Sequence, residues 1–314
     1  FRGAGCWKAR LIMAERIRLS EWLRRERDGH VSGGLFETTQ VMFAFNSNHM
    51  EGSTLSVEQT SDLYTTGSVS PQDGGGTVRL DDAIETRNHF HAFNWMLDRV
   101  DQPVDDAMVC RMHAILKRGT SQEQNPDNNV GAYKGRPNVI GGLLQEHTVL
   151  PPDVPAAMRE VVLAHRELED NPFSIAFAHW LFETTHPFFD GNGRVGRLLL
   201  FKELLRIDAM PVVIQDRNRG LYVRGLREFA RTPGYLIDTL LAERDVYRGI
   251  VETLVPGRTA YTYRDVWDGV VPRKVENPYL KREWDERDIS DAVVEGSTDD
   301  PMMWDSGPGR ASRR

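Results

Sequence analysis

His186-Pro187-Phe188-Phe189-Asp190-Gly191-Asn192-Gly193-Arg194-Val195-Gly196-Arg197 is the stretch that decides the fold. Pro187 disfavours helical backbone at the residue before it, so a helix is expected to end at His186. Gly191 and Gly193 supply the positive-φ freedom of a tight loop, and a second helix is expected to start near Gly193. Free N–H groups at that helix start, with two arginines three residues apart on one face, predict an anion site suited to polyphosphate.

The residues on either side of the loop predict two buried helices. Asp170-Asn171-Pro172 is a helix-start signal, with an Asx cap followed by proline in the first turn. Residues 173–182 are apolar almost all round, which is typical of a buried helix. Beyond the loop the second helix carries five leucines, at positions 198, 199, 200, 204 and 205. The loop is therefore predicted to join two core helices.

The loop resembles the signature of the Fic family, His-x-Phe-x-(Asp/Glu)-Gly-Asn-Gly-Arg-x-x-Arg, with every fixed position matched. The alternative is a helix–loop–helix with a glycine turn and solvated arginines, which would need chance matches at all these positions. The resemblance implies a mostly α-helical fold, with a Fic-type helical core and a β-hairpin flap over the active-site loop. It also implies an enzyme, a protein adenylyltransferase that transfers AMP from ATP to a Ser, Thr or Tyr hydroxyl while pyrophosphate leaves.

The resemblance implies a role for each residue of the loop. His186 would be the base that takes the proton of the target hydroxyl, since an ordinary histidine, with a pKa of about 6.5, is mostly neutral at pH 7. Asp190 would hold Mg²⁺ together with phosphate and water ligands. Phe188 would pack the loop onto the helices. The nucleotide would be bound by an anion nest and an arginine clamp, formed by Gly191, Asn192, Gly193, Arg194 and Arg197.

A second motif begins at Ser47 and ends at Glu51-Gly52. It resembles the family's inhibitory motif, (Ser/Thr)-x-x-x-Glu-(Gly/Asn), whose glutamate pairs with the second arginine, here Arg197, and blocks the γ-phosphate position. Because the motif precedes the loop, the chain resembles the subclass with an N-terminal inhibitory helix, expected at residues 36–50. The alternative is a plain capping box, Asn48-x-x-Glu51. The presence of both motifs favours inhibition.

Two further segments resemble parts of the family's nucleotide site. Residues 130–142 combine aromatic and β-branched residues around a turn and predict a hairpin. They resemble the flap that covers the nucleotide and holds the target segment by strand addition, which would place Tyr133 at the nucleotide. Lys134 stands where the family often has arginine, and a plain surface hairpin is the alternative. Residues 219–223 resemble the segment with a tyrosine near the adenine, here Tyr222, for which a core position is the alternative.

The chain is expected to divide into three regions. Residues 1–78 form an N-terminal helical region with the inhibitory motif, 79–254 the Fic core, and 255–314 a charged extension that either docks or is disordered. Residues 65–77 are a polar, glycine-rich loop without the Gly-Lys-Ser/Thr ending of a phosphate-binding loop. Hydrophobic periodicity predicts the remaining helices at 8–29, from 57, and at 81–99, 104–117, 153–169, 219–230 and 233–254.

Composition and the missing metal motifs argue against several classes of protein. The net charge of −7 argues against generic binding of nucleic acid or anionic membranes. No apolar run has the length of a membrane span, and the two cysteines, Cys6 and Cys110, indicate a reduced, cytoplasmic location. Neither His-Glu-x-x-His nor Cys-x-x-Cys occurs, which disfavours a zinc enzyme. His113, His165 and His179 stand singly in helical patterns and are expected to be core or surface residues.

Three functional questions stay open at this point. The same site could run the reverse reaction, hydrolysing AMP from a modified protein with Glu51 orienting a water. The chain could also be a non-catalytic regulatory or toxin-type module, although the intact His186 and Asp190 argue against it. The partner is expected to be a target protein, and a homodimer is left open.

Overall fold

The computed structural model describes residues 16–71, 77–140, 146–271, 274–281, 287–288 and 292–294. This part of the chain is mostly helical, as the sequence predicts. None of its helices has the length and apolarity needed to cross a membrane. The ten α-helices are α1 Leu19–Asp28, α2 Leu35–His49, α3 Val57–Thr66, α4 Leu80–Leu97, α5 Asp106–Lys117, α6 Val154–Arg166, α7 Pro172–Thr185, α8 Asn192–Arg206, α9 Arg219–Glu228 and α10 Gly234–Leu254.

Five short strands complete the described structure. They are β1 Ile17–Arg18, β2 Asn138–Ile140, β3 Glu146–His147, β4 Thr259–Ala260 and β5 Val293–Val294. β2 pairs antiparallel with β3, with Val139 opposite His147, and parallel with β5 on its other side. β1 pairs parallel with β4 and so joins the two ends of the described helical region.

The predicted hairpin at 130–142 is wrong in its position. Among residues 130–140, the described part of that range, β2 is the one strand, and its antiparallel partner β3 starts at residue 146. Residues ahead of β2 are held by a neighbouring loop instead, because the Lys134 N–H donates to the Pro187 carbonyl at 2.8 Å. The side-chain amide of Asn138 likewise donates to the Phe188 carbonyl at 3.0 Å. These contacts replace the cross-strand pairing that residues 130–137 would have made.

Most predicted helix boundaries lie within a few residues of the observed ones, and the first is the exception. Within the range expected to be helical, 8–29, α1 begins at Leu19, because Ile17 and Arg18 are extended against β4. Residues 1–15, including Cys6, lie outside the described residues. In the predicted loop at 65–77, α3 continues to Thr66 and ends at Gly67, whose φ of 72° suits glycine. Residues 72–76 of that loop are not described.

The larger of two hydrophobic clusters surrounds α8, which is buried from Asn192 to Leu205. Four aromatic rings meet around its middle: Phe201 of α8 lies 5.3 Å from both Phe43 of α2 and Phe93 of α4, and 5.7 Å from Tyr247 of α10. Burying side chains of this size contributes about 1.5–3 kcal/mol each. The helix that starts at the glycine-rich loop is therefore fixed by packing on several sides, and α2 is fixed against it.

Candidate active site

The loop between α7 and α8 begins with His186 in a left-handed conformation, φ 52° and ψ 61°. This conformation is uncommon outside glycine and ends α7 at the residue before Pro187, as expected. The His186 Nδ1 lies 3.1 Å from the Glu183 carbonyl oxygen. Because a carbonyl only accepts, Nδ1 carries the proton and Nε2 the lone pair, which is the tautomer a general base needs.

Hydrogen bonds within the loop fix its shape. The Asn192 side chain accepts from the Phe188 N–H at 2.8 Å and donates to the Phe188 carbonyl at 3.0 Å. Phe188 is buried and its ring stacks on His113, with centroids 4.0 Å apart. Gly191, at φ 82°, supplies the left-handed turn into α8. Contacts within the protein therefore fix the conformation of the loop.

His113 of α5 holds the backbone of Asp190. Its Nδ1 accepts from the Gly131 N–H at 3.0 Å, so Nε2 carries the proton and donates to the Asp190 carbonyl at 3.0 Å. Burial lowers the pKa of His113 to about 3, which keeps the ring neutral. The sequence predicted a core or surface residue here, and the contact to the loop was missed because it joins residues 77 positions apart.

A buried cluster of four charges lies under the loop, formed by Glu85, Lys117, Asp190 and Arg194. The Lys117 ammonium donates to the Asp190 carboxylate and, at 2.6 Å, to Glu85. Arg194 donates to Glu85 and reaches Asp190 at 3.4 Å. Burial acts to raise the pKa of Asp190, but the charges of Lys117 and Arg194 outweigh it and hold that pKa well below its usual range. Neither Lys117 nor Glu85 was predicted, since neither belongs to a motif.

Arg197 contacts both residues of the second motif. Its Nη2 lies 2.6 Å from Glu51 Oε1 and 2.9 Å from the Ser47 carbonyl, and its Nε donates to Ser47 Oγ at 3.0 Å. The guanidinium is buried, with 4% of the side chain exposed, whereas Glu51 keeps 25%. Burial acts to lower the pKa of Arg197, but Glu51 raises it above its ordinary value. The two motifs therefore meet in one ion pair.

The capping alternative for the second motif is wrong. Asn48 lies inside α2, where its side chain donates to the Ala44 carbonyl, and Glu51 follows the end of that helix. The capping box in this region belongs to Ser56 and Gln59 at the start of α3.

The Glu51 carboxylate lies over the first turn of α8. A methyl group at Gly193 would overlap Glu51 Oε1 and Arg197 Nη1, so the ends of these two side chains lie directly against the backbone of the helix and would have to shift for a larger residue. A helix N-terminus favours an anion through its free N–H groups and its dipole. The anion site predicted from the loop is therefore faced by a carboxylate of the same chain.

Comparison with known proteins agrees with this geometry. Residues 103–204 match the model of the Fic/DOC family. They form a Fic domain. A probable protein adenylyltransferase from Aquifex aeolicus is 43% identical over 82 residues, which are 26% of this chain and 25% of that protein. Protein adenylyltransferase fic-1 from Caenorhabditis elegans is 24% identical over 201 residues, 61% of this chain and 37% of that protein. The matched regions thus span well under half of either relative.

Solved structures show the same fold over a longer part of the chain. A Fic domain containing signaling protein from Bacteroides thetaiotaomicron aligns with a TM-score of 0.55 at 22% identity, covering 75% of this chain and 91% of that one. Fic-1 from Caenorhabditis elegans aligns with a TM-score of 0.53 at 21% identity, covering 74% and 72%. The likeness therefore extends beyond the Fic domain itself.

The two arginines of the Fic domain loop point to different carboxylates. Arg194 is held by Glu85 and Asp190, and Arg197 by Glu51. Their joint contact with one polyphosphate stays a prediction, and it requires at least Arg197 to exchange partners.

The two predicted tyrosines contact different parts of the protein. The Tyr222 hydroxyl is buried 2.8 Å from His179 Nε2, and burial raises its pKa well above the ordinary value. The Tyr133 hydroxyl donates to Asp106 at 2.7 Å, and its ring lies 6.0 Å from that of Phe188. The Lys134 ammonium is buried and donates to the Asn138 side chain at 2.6 Å. Contacts of either tyrosine with a nucleotide stay predictions.

Among the described residues, no three His, Cys, Asp or Glu side chains are grouped to hold a metal. Asp190 offers a single carboxylate, already in contact with an ammonium. Mg²⁺ is often bound by one or two carboxylates, with the remaining ligands supplied by phosphates and water. The donor set at Asp190 therefore suits a magnesium ion brought with a nucleotide.

Proposed function

We propose that this chain transfers AMP from ATP to a Ser, Thr or Tyr hydroxyl of a target protein. The observation that carries the proposal is the position of His186, with Nδ1 fixed by a carbonyl, in a preformed loop leading to the N-terminus of α8. A base beside an anion site is the arrangement that hydroxyl attack on a phosphate requires. The names of the relatives support adenylyl transfer over other phosphate chemistry.

The reaction follows from these side chains. His186 Nε2 takes the proton of the target hydroxyl as its oxygen bonds to the α-phosphorus, and the bond to pyrophosphate breaks. The N-terminus of α8 and the two arginines hold the phosphates and offset the charge that moves onto pyrophosphate. Mg²⁺, held by Asp190, would supply further positive charge to the phosphates.

Glu51 is proposed to inhibit this reaction. Its carboxylate pairs with Arg197 at 2.6 Å and lies over the turn where the terminal phosphate would be held. ATP can extend along the arginines only when Glu51 leaves. A charge-assisted pair contributes about 1.5–3 kcal/mol, which changes the equilibrium between two nucleotide poses by about ten- to a hundredfold.

The reverse reaction is the second candidate, because the same carboxylate is partly exposed beside His186's loop and could orient a water. In that case the chain would remove AMP from a modified protein. A cytoplasmic location and a homodimer remain predictions.

ATP labelled at either the α- or the γ-phosphate tests the proposal. The α-label is expected on protein, the γ-label is not, and His186→Ala is expected to lose labelling while nucleotide binding measured by calorimetry remains. His30→Ala, a change at an exposed histidine, is the control and keeps the wild-type level. Transfer of the γ-label, or undiminished labelling by His186→Ala, contradicts AMP transfer by this site. Release of AMP from premodified protein, without forward labelling, supports the reverse reaction.

A further inference from the structure

Lys117 is a buried cation placed directly under the nucleotide-binding loop. It is the last residue of α5, and only 1% of its side chain is exposed. A methyl group at Gly191 would lie 3.1 Å from Lys117 Cε, so the lysine stem runs beneath the turn that leads into α8. Burying an ammonium is costly unless it is paired, and Glu85 and Asp190 provide that pairing.

One face of α5 contacts both the backbone carbonyl and the side-chain carboxylate of Asp190. His113, one helical turn before Lys117, donates to the Asp190 carbonyl oxygen, and Lys117 donates to the carboxylate. Residues four apart on a helix lie on the same face, so the spacing delivers both groups together. α5 therefore contacts Asp190 at two points, and the Asp190 carboxylate faces the Lys117 ammonium.

The four charges of this buried cluster are balanced. Glu85 and Asp190 carry two negative charges, and Lys117 and Arg194 carry two positive ones. A divalent cation on Asp190 would add positive charge within a few ångströms of the Lys117 ammonium. Like charges at that distance repel strongly in a buried site.

We propose that Lys117 is an internal cation that occupies the metal position at Asp190, so that a divalent metal binds only by displacing it. Lys117 keeps its bond to Glu85 when it gives up Asp190. Lys117 is a positioning residue that sets the affinity of the site for metal. It also balances the negative charge of Asp190 after one nucleotide leaves and before the next one binds. This inference rests on the proposed function, because Asp190 is the metal ligand only in that reaction.

Binding of Mn²⁺, measured by electron paramagnetic resonance with a non-hydrolysable ATP analogue present, tests the proposal without any transfer. Lys117→Met is expected to bind Mn²⁺ at least about tenfold more tightly than wild type, because one nearby positive charge is removed. Adding Asp190→Ala to that variant is expected to abolish the gain. Unchanged or weaker Mn²⁺ binding by Lys117→Met, or a gain that survives Asp190→Ala, overturns the proposal.

Lys202→Met is the matched control. Lys202 is also fully buried and pairs with Glu203, but it lies in the second half of α8, away from the loop. The Lys202→Met substitution removes an equally buried charge and is expected to leave the Mn²⁺ affinity at the wild-type value. If Lys117→Met does not fold, Lys117→Gln keeps a donor for Glu85 and carries the same expectation. The two failures are distinguishable: unchanged Mn²⁺ affinity of Lys117→Met overturns this inference alone, whereas wild-type protein that transfers the γ-label in place of the α-label overturns the proposed function.

Discussion

Four histidines lie fully inside the protein, and burial lowers the pKa of each. The pKa falls to about 3 for His89, His113 and His179, and it is also lowered for His165. His89 differs from the others because neither ring nitrogen has a hydrogen-bond partner among the described residues. Its ring instead packs against Phe43, with centroids 5.0 Å apart. It behaves as a neutral core side chain beside two buried arginines.

These lowered pKa values predict acid sensitivity. Below the unfolded-state pKa of about 6.5, the unfolded chain takes up protons that the folded chain refuses, so the free energy of unfolding falls with pH until the folded pKa near 3 is reached. As the pH falls from 6 to 5, each such histidine lowers the free energy of unfolding by about 1 kcal/mol. His89→Leu is expected to reduce the slope by that amount and to keep the stability at pH 7.5. Urea unfolding at several pH values measures both; an unchanged slope would show that His89 is not neutral in the fold.

At the scale of elements, the segment leading into α9 braces the turn that carries Glu51. The Arg219 Nε donates to the Met50 carbonyl at 3.0 Å, and the Asp216 N–H donates to the Asn46 side chain at 2.9 Å. His49, at the end of α2, lies 3.0 Å from the Asp216 carboxylate. The position of Glu51 therefore depends on a segment more than 160 residues further along the chain.

Loosening this brace is expected to weaken inhibition. Arg219→Ala removes the bond to the Met50 carbonyl but leaves Glu51 and Arg197 intact, so AMP transfer should rise to a level between wild type and Glu51→Gly. Arg227→Ala is the matched control, because that exposed arginine lies on the same helix and, among the described residues, forms its ion pair with its neighbour Glu228. Labelling with α-labelled ATP at matched concentrations compares the variants. If Arg219→Ala labels no better than Arg227→Ala, α9 does not hold the inhibitory turn.

At the scale of the whole molecule, the sequence predicted the features that depend on residues close together in the chain. Helix ends followed from Pro187 and Asn171, because caps and prolines act within a turn or two. The predicted pairing of Glu51 with Arg197 is present, since each residue belongs to a motif of fixed spacing. The roles of these residues in the reaction remain proposals.

Contacts between segments that lie far apart in the sequence could not be predicted from local sequence patterns. Lys117, Glu85 and His113 lie in helices whose sequence shows only amphipathic spacing, and nothing there says which polar residue faces the loop. The hairpin was misplaced for the same reason, because the Lys134 backbone N–H and the Asn138 side chain bond to the loop, at the Pro187 and Phe188 carbonyls, and the paired strands lie further along the chain. Pairing of β2 with β5 likewise joins residues about 150 apart. Tertiary contacts, rather than propensities, decide these features.

The most direct test of the account compares self-labelling from α-labelled ATP in three proteins at matched ATP: wild type, Glu51→Gly and Glu51→Gly with Arg197→Ala. Removing Glu51 frees Arg197 for the terminal phosphate, so labelling should rise about ten- to a hundredfold above wild type. Adding Arg197→Ala should erase the gain, because the freed arginine is what holds the phosphate. A folded Glu51→Gly protein that labels no faster than wild type would contradict the central claim that the Glu51–Arg197 pair controls AMP transfer.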